Sequence, residues 1–355
     1  MKKATARERK RSSDVTVTES VSLADKLRFL SVSEAYAFHP GSVEIIETHM
    51  SYVFLAGVRA YKLKKPVRYP FLDFSTLAAR ERDCREELRL NRRLAPDVYL
   101  GVLPLTAEDA RLSLGGKGEV VDWIVEMRRL PRERMLDQLI AGDGVKDASI
   151  ASLCDTLARF YRGAERSTIT PDDYLSRFFD EMRLNRDVLT RDDFPHRNEA
   201  TQFLDRLDSR LASSRMMLEA RVREGHVVDG HGDLRPEHVC LNRPIEIFDC
   251  LEFNAALRQV DPFDEIALLG VECAQLGAPH LLARFAQALA ARLDTPAPEA
   301  LVALYGAWRA ALRARLSFAH LLEPSARTPE KWAPLAKRYL SIGARLLEEE
   351  TLWLS

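Results

Sequence analysis

The stretch VVDGHGDLRPEHVCLNRPIEIFDCLEFN, Val227 to Asn254, sets His231, Asp233, His238, Asp249 and Glu252 between apolar runs. The short runs HVCL and IEIF have strand character. The charged residues fall in the loops or at strand ends, where a fold carries reactive groups rather than packing groups. Asp233 and Asp249 therefore end neighbouring strand–loop units. Two carboxylates so placed suit phosphoryl transfer: one positions an attacking hydroxyl and accepts its proton, and the other holds magnesium against phosphates. Magnesium takes oxygen ligands and keeps several waters, so one or two protein carboxylates suffice.

Upstream, Val43 onward alternates with period two. VEIIET, YVFLA and AYKLKKP read as an antiparallel meander, with Gly57 in a tight turn and Pro66 closing the third strand. Lys62 and Lys64 share one face of that strand. A helix follows, with Ser75 as the expected N-cap and Pro96 as the stop. At ~100° per residue Leu77, Cys84, Leu88 and Asn91 form one stripe; Glu87 lies beside it and Glu86 points away. VYLGVLPLT and GEVVDWIVEMRRLP supply two more strands around the turn-rich GGKG. Beyond Pro131 helices dominate: 150–162, 174–189, 198–224 and much of 262 to the end. The fold class expected is α+β, a small antiparallel β-rich lobe with one helix (21–126) before a large α-helical lobe (127–355). In VDPFDEIALL, Asp261 reads as an N-cap, Pro262 as N1 and Asp264 as N3, all structural.

Composition narrows the classes. A chain of 355 residues with a formal net charge of −1 is too long for one small core and is not built mainly to coat nucleic acid. Five cysteines with no CxxC pair point to a reducing cytoplasm and away from disulfides or a thiolate zinc site. No apolar run approaches the ~20 residues needed to span a membrane. Residues 1–20 are polar and basic without an apolar h-region, and read as a disordered tail rather than a secretory signal.

HGDL followed by a strand ending in Asp249 resembles the catalytic segment of the aminoglycoside phosphotransferase-like kinases, within the protein-kinase-like superfamily. The resemblance covers roughly residues 43–270. YKLKKPV, FLDFSTL, EELRLNRRLAPDVYLGV and FDCLEFN look closest to a generic bacterial branch of that family. Some members of that branch carry a second nucleotide-kinase-like domain. There is no GxxxxGK[ST] loop here, so that domain is expected to be absent.

The resemblance implies a two-lobed kinase-like fold whose small lobe binds ATP with Mg2+, or Mn2+, and a small-molecule hydroxyl as acceptor. It implies Asp233 as catalytic base, His231 as a structural histidine and Asp249 as the main metal ligand. Lys62 matches the phosphate lysine, with Lys64 as fallback, and Glu87 its helix partner. Residues 123–127, including Glu126 and Met127, match the hinge holding the adenine edge. Thr48 and Ser51 stand in the turn over the phosphates, which is not glycine-rich. His238 replaces the usual metal-binding Asn; imidazole is a poor magnesium ligand but suits manganese. Two rival readings follow: a pseudokinase-type nucleotide-binding regulatory module, and nucleotidyl transfer to protein.

Overall fold

The structure, a computed structural model, describes residues 21–69, 72–109, 111–142, 144–322 and 329–348. The expected tail at 1–20 lies outside the described residues. A short helix that periodicity did not flag, α1 (Leu23–Leu30), comes first, opened by a capping box between Ser22 and Asp25.

The period-two runs form β1 (Val43–Glu47), β2 (Ser51–Ala56) and β3 (Arg59–Lys64), paired antiparallel in order. Gly57 makes the β2–β3 turn at φ +55°, a conformation cheap only for a residue without Cβ. A small hairpin, β4 (Arg68–Tyr69) with β5 (Leu72–Asp73), leads into α2 (Leu77–Asn91). The cap is Thr76, not Ser75: the Ala79 amide donates to Thr76 Oγ1 at 3.1 Å. Ser75 instead spends its amide and hydroxyl on Asp73. The helix also stops at Asn91, well before Pro96, as Arg93 and Leu94 donate three residues back to Leu90 and Asn91.

Three strands complete the sheet: β6 (Tyr99–Glu108), β7 (Arg111–Leu114), which the turn-rich sequence hid, and β8 (Glu119–Arg128). Sheet order is β1-β2-β3-β8-β6-β7, so β3 and β8 are central. One face of β3 (Tyr61, Leu63) packs with Tyr36 and Leu30. The other, carrying Ala60, Lys62 and Lys64, faces α2, where Ala60, Val125 and Met127 pack with Cys84.

The rest is mainly helical: α3 (Leu136–Ala141), α4 (Asp147–Gly163), α5 (Pro171–Leu189), α6 (Arg197–Ser213) and α7 (Arg215–Arg223). The single helix expected over 198–224 is broken at Ser214, which caps both α6 and α7. The stretch 227–254 contributes β9 (Val228–Asp229), β10 (Val239–Cys240) and β11 (Glu246–Ile247); β12 (Gln259–Val260) follows. β10 pairs with β11, and β9 with β12, so the stretch forms two tied loops.

Below it lie α8 (Pro262–Gln275), α9 (Leu281–Leu293), α10 (Glu299–Ala319) and α11 (Pro329–Glu348). α8 is buried from Pro262 to Cys273. A helix buried on all sides is a core element and a rigid floor for what rests on it. Asp261 is its N-cap, as expected: Oδ1 accepts from the Phe263 amide at 2.9 Å, and the Arg221 fork grips the carboxylate at 2.5 and 3.1 Å. Asp264 pairs with Arg309. Among the described residues no helix is long and apolar enough to cross a membrane.

Candidate active site

The loop after β9 is held from below. Glu265, on the first turns of α8, accepts the amides of His231 (3.1 Å) and Gly232 and the hydroxyl of Tyr161 (2.7 Å). Gly232 sits at φ +88°, and a Cβ there would stand 3.0 Å from that of Leu251. His231 is fully buried. Its Nδ1 accepts from the Asp233 amide at 3.3 Å, so Nε2 carries the proton it gives to the Phe248 carbonyl at 2.9 Å. Burial lowers its pKa and keeps the ring neutral, as that tautomer requires. His231 thus pins the Asp233 loop to the residue before Asp249.

Asp233 is left one-third exposed. Burial pushes its pKa up, but Arg235, His238 and Arg313 outweigh it and hold the carboxyl below the usual range. His238 donates from Nδ1 to the Asp233 carbonyl at 2.8 Å, which turns Nε2 toward Asp249 Oδ2, 3.5 Å away. A histidine whose outer nitrogen is so anchored presents the other as a ligand. The Asp249 carboxylate and the His238 Nε2 lone pair form a donor set into which a divalent cation fits.

Asp249 itself adopts φ +60°, which a short polar side chain tolerates better than most. Its amide donates to Tyr99 Oη at 3.2 Å. The next residue, Cys250, donates its amide to Asn91 Oδ1 at 2.8 Å, and its buried thiol lies 3.1 Å from the His231 carbonyl. Arg93, just past α2, reaches Asp229 (3.0 Å), the Gly230 carbonyl (2.8 Å) and Cys250 Sγ (3.3 Å). The end of α2 therefore grips both loops.

Lys62 Nζ lies 2.9 Å from Glu87 Oε1 and 2.7 Å from Asp249 Oδ1. Lys64 Nζ lies 2.6 Å from Glu87 Oε2, 2.6 Å from Asp83 and 2.5 Å from Glu252. Burial works against both ammonium charges, but the surrounding carboxylates prevail and hold both lysines well above their usual value. Burial, helped by Glu87 and Asp83, raises the Glu252 carboxyl to about 7 against the pull of Lys64.

Three sequence expectations are corrected. The backbone of residues 123–127 is not a free hinge: β8 pairs there with β3 on one side and β6 on the other. The first chain beyond the strand is Arg129–Pro131. Glu126 opposes Tyr61 and accepts from its hydroxyl at 3.2 Å, on the face away from Lys62; Met127 opposes Ala60 and stays on the Lys62 face. Thr48 and Ser51 close their own turn. The Thr48 amide donates to the Ser51 carbonyl (2.9 Å) and the Ser51 amide to Thr48 Oγ1 (2.9 Å), so these groups are spent.

Sequence reading missed Glu265 and Arg93, whose partners are distant in the chain, and Asp83, which lies one turn before Glu87 on α2 and meets Lys64. It also passed over Arg235, two residues after Asp233, whose guanidinium lies 3.6 Å from that carboxylate.

No family model matches the chain. Uncharacterized proteins of Mycobacterium bovis and Mycobacterium tuberculosis are 32% identical over 322 residues, 88% of this chain and 61% of each relative. The chain thus spans about three fifths of the length of the curated relatives it matches. A choline/ethanolamine kinase family protein from Mesorhizobium loti superposes with a TM-score of 0.52 at 16% identity, covering 92% of this chain and 95% of that one. A choline kinase from Cryptosporidium parvum Iowa II gives 0.53 at 9% identity (86% and 89%). A glucosamine kinase in complex with glucosamine, ADP and inorganic phosphate gives 0.51 at 13% (90% and 85%). These superpositions cover most of the chain, and its six-stranded antiparallel sheet followed by a mainly helical remainder is the two-lobed protein-kinase-like fold.

Proposed function

We propose that the protein is an ATP-dependent phosphotransferase acting on a hydroxyl of a small molecule. One observation carries the reading: the unbroken series Asp233–His238–Asp249–Lys62–Glu87, which joins a carboxylate suited to be the base, a pair suited to hold metal and a half-buried lysine from the loops of 227–254 to β3 and α2. Lys62 binds phosphate oxygens, and Glu87 holds it in place. Asp233 orients the acceptor hydroxyl and takes its proton. Arg235, beside it, offers positive charge to the phosphoryl group in transit. Asp249 and His238 would hold the divalent cation, which supplies charge neutralisation on the phosphates when bound. The fold fixes no acceptor.

The test is a metabolite library incubated with ATP and Mg2+ or Mn2+, with products read by mass spectrometry. Added phosphate supports the proposal. Added AMP would point to nucleotidyl transfer. Nucleotide binding without turnover on any acceptor would leave a regulatory module.

His238 also predicts a metal preference. Imidazole nitrogen is softer than an amide oxygen and favours manganese over magnesium. His238→Asn is expected to lower the manganese-to-magnesium activity ratio by restoring turnover in magnesium. An unchanged ratio would mean that His238 only braces the Asp233 carbonyl.

A further inference from the structure

Lys62 and Lys64, two residues apart on β3, divide one glutamate between them: Glu87 gives Oε1 to the first and Oε2 to the second. Each lysine then reaches the same loop, Lys62 at Asp249 (2.7 Å) and Lys64 at Glu252 (2.5 Å). Since Asp249 and Glu252 are three residues apart, the contacts close into a ring through strand, helix and loop.

The ring has an open and a sealed side. Lys62 and Asp249 side chains are 13% and 41% exposed, whereas Lys64 and Glu252 are 1% and 9% exposed. Of the ring's carboxylates, Asp249 is the most exposed. Asp83 flanks the ring at Lys64, and with Glu87 and Asp249 it outnumbers the two ammonium groups even before Glu252 is counted.

We propose that Lys64 is a positioning residue, which locks the Asp249–Glu252 loop to α2 so that Asp249 is held for metal while Lys62 is released to the nucleotide. The proposal rests on the kinase reading for its purpose, but its mechanical core does not. When Lys62 turns to phosphate, it gives up a contact with Asp249, and Lys64–Glu252 is what then keeps the loop in register. Lys64 does not touch the nucleotide.

The experiment compares Lys64→Met, Glu252→Gln, the double variant and Lys62→Met. Hydrogen exchange on nucleotide-free protein reads the Asp249, Cys250 and Leu251 amides, which are bonded to Tyr99, Asn91 and His231. Titrations read ATP affinity without metal and the Mg2+ needed to saturate binding.

Lys64→Met is expected to speed exchange in this loop by about tenfold, as a local opening. It should raise the Mg2+ requirement ~10-fold, in the range seen when a partner behind a metal ligand is removed. Metal-free ATP affinity should stay close to wild type, whereas Lys62→Met should lose it. Glu252→Gln alters only the loop contact, whereas Lys64→Met also takes the ammonium from Asp83 and Glu87. Both should therefore shift loop exchange and Mg2+ requirement in the same direction, with Lys64→Met the larger, and the double variant should be no worse than Lys64→Met.

Two results overturn the proposal: loss of metal-free ATP affinity in Lys64→Met equal to that in Lys62→Met, or loop exchange and Mg2+ requirement at wild-type values whatever happens to Tm. If wild type binds no nucleotide, the kinase reading fails separately, and exchange still decides the role of Lys64. If Lys64→Met does not fold, the double variant, which removes one charge of each sign, carries the exchange test.

Discussion

Asp233→Asn will reduce phosphoryl transfer by ~10²–10⁴-fold, the usual contribution of a positioned general base, and leave nucleotide affinity close to wild type. The amide has the same shape but cannot take the acceptor proton. The loop should survive the change, because its geometry is set elsewhere: by Glu265 under the His231 and Gly232 amides, and by His231 between the Asp233 amide and the Phe248 carbonyl. Side-by-side measurement of turnover and of nucleotide binding checks both halves. Turnover at the wild-type rate would remove Asp233 from the reaction. Loss of nucleotide binding would place it in the ATP site instead.

Asp249→Ala is expected to cost more in binding. It takes away the carboxylate that faces His238 Nε2 and, at 2.7 Å, Lys62 Nζ. Removing a partner behind a metal ligand typically costs ~10–100-fold in affinity, and removing the ligand itself should cost at least that. Mg·ATP affinity should fall accordingly, while metal-free ATP should bind at least as well as before, because Lys62 loses a competitor for its charge. Asp249→Asn is a useful companion, since Asn tolerates the φ of +60° about as readily as Asp and separates charge from backbone strain. Equal Mg2+ dependence in wild type and Asp249→Ala would refute the metal role.

What the sequence disclosed, and what it hid, follows from the range of the interactions. Period-two alternation placed Lys62 and Lys64 on one strand face, and a 100° wheel turned Glu87 rather than Glu86 inward. Both rules are local and involve side-chain direction only. The helix start at Asp261 was readable for the same reason. The β1–β2 turn misled because Thr48 and Ser51 are good phosphate donors in composition, yet satisfy each other across three residues. Glu126 was misassigned because nothing in WIVEM shows that strands flank it on both sides. Glu265 could not be tied to Gly232 at all: 33 residues separate them, and only the fold closes that distance. The break at Ser214 was missed because α6 and α7 are each amphipathic and nearly contiguous.

The burial of Cys250 turns the loop into its own clock. Its thiol follows Asp249 directly, is 2% exposed, and is pushed by burial to a pKa of about 12, so it is inert to alkylation while the loop is seated. Any excursion of the loop bares a sulfur that reacts once and keeps the record. Mass-spectrometric mapping of maleimide uptake should show Cys250 modified more slowly when Mg·ATP is present, with Cys154, buried between α4 and α9, unaffected as an internal control. The native chain thereby reports the seating of its Asp249 loop without an added label site.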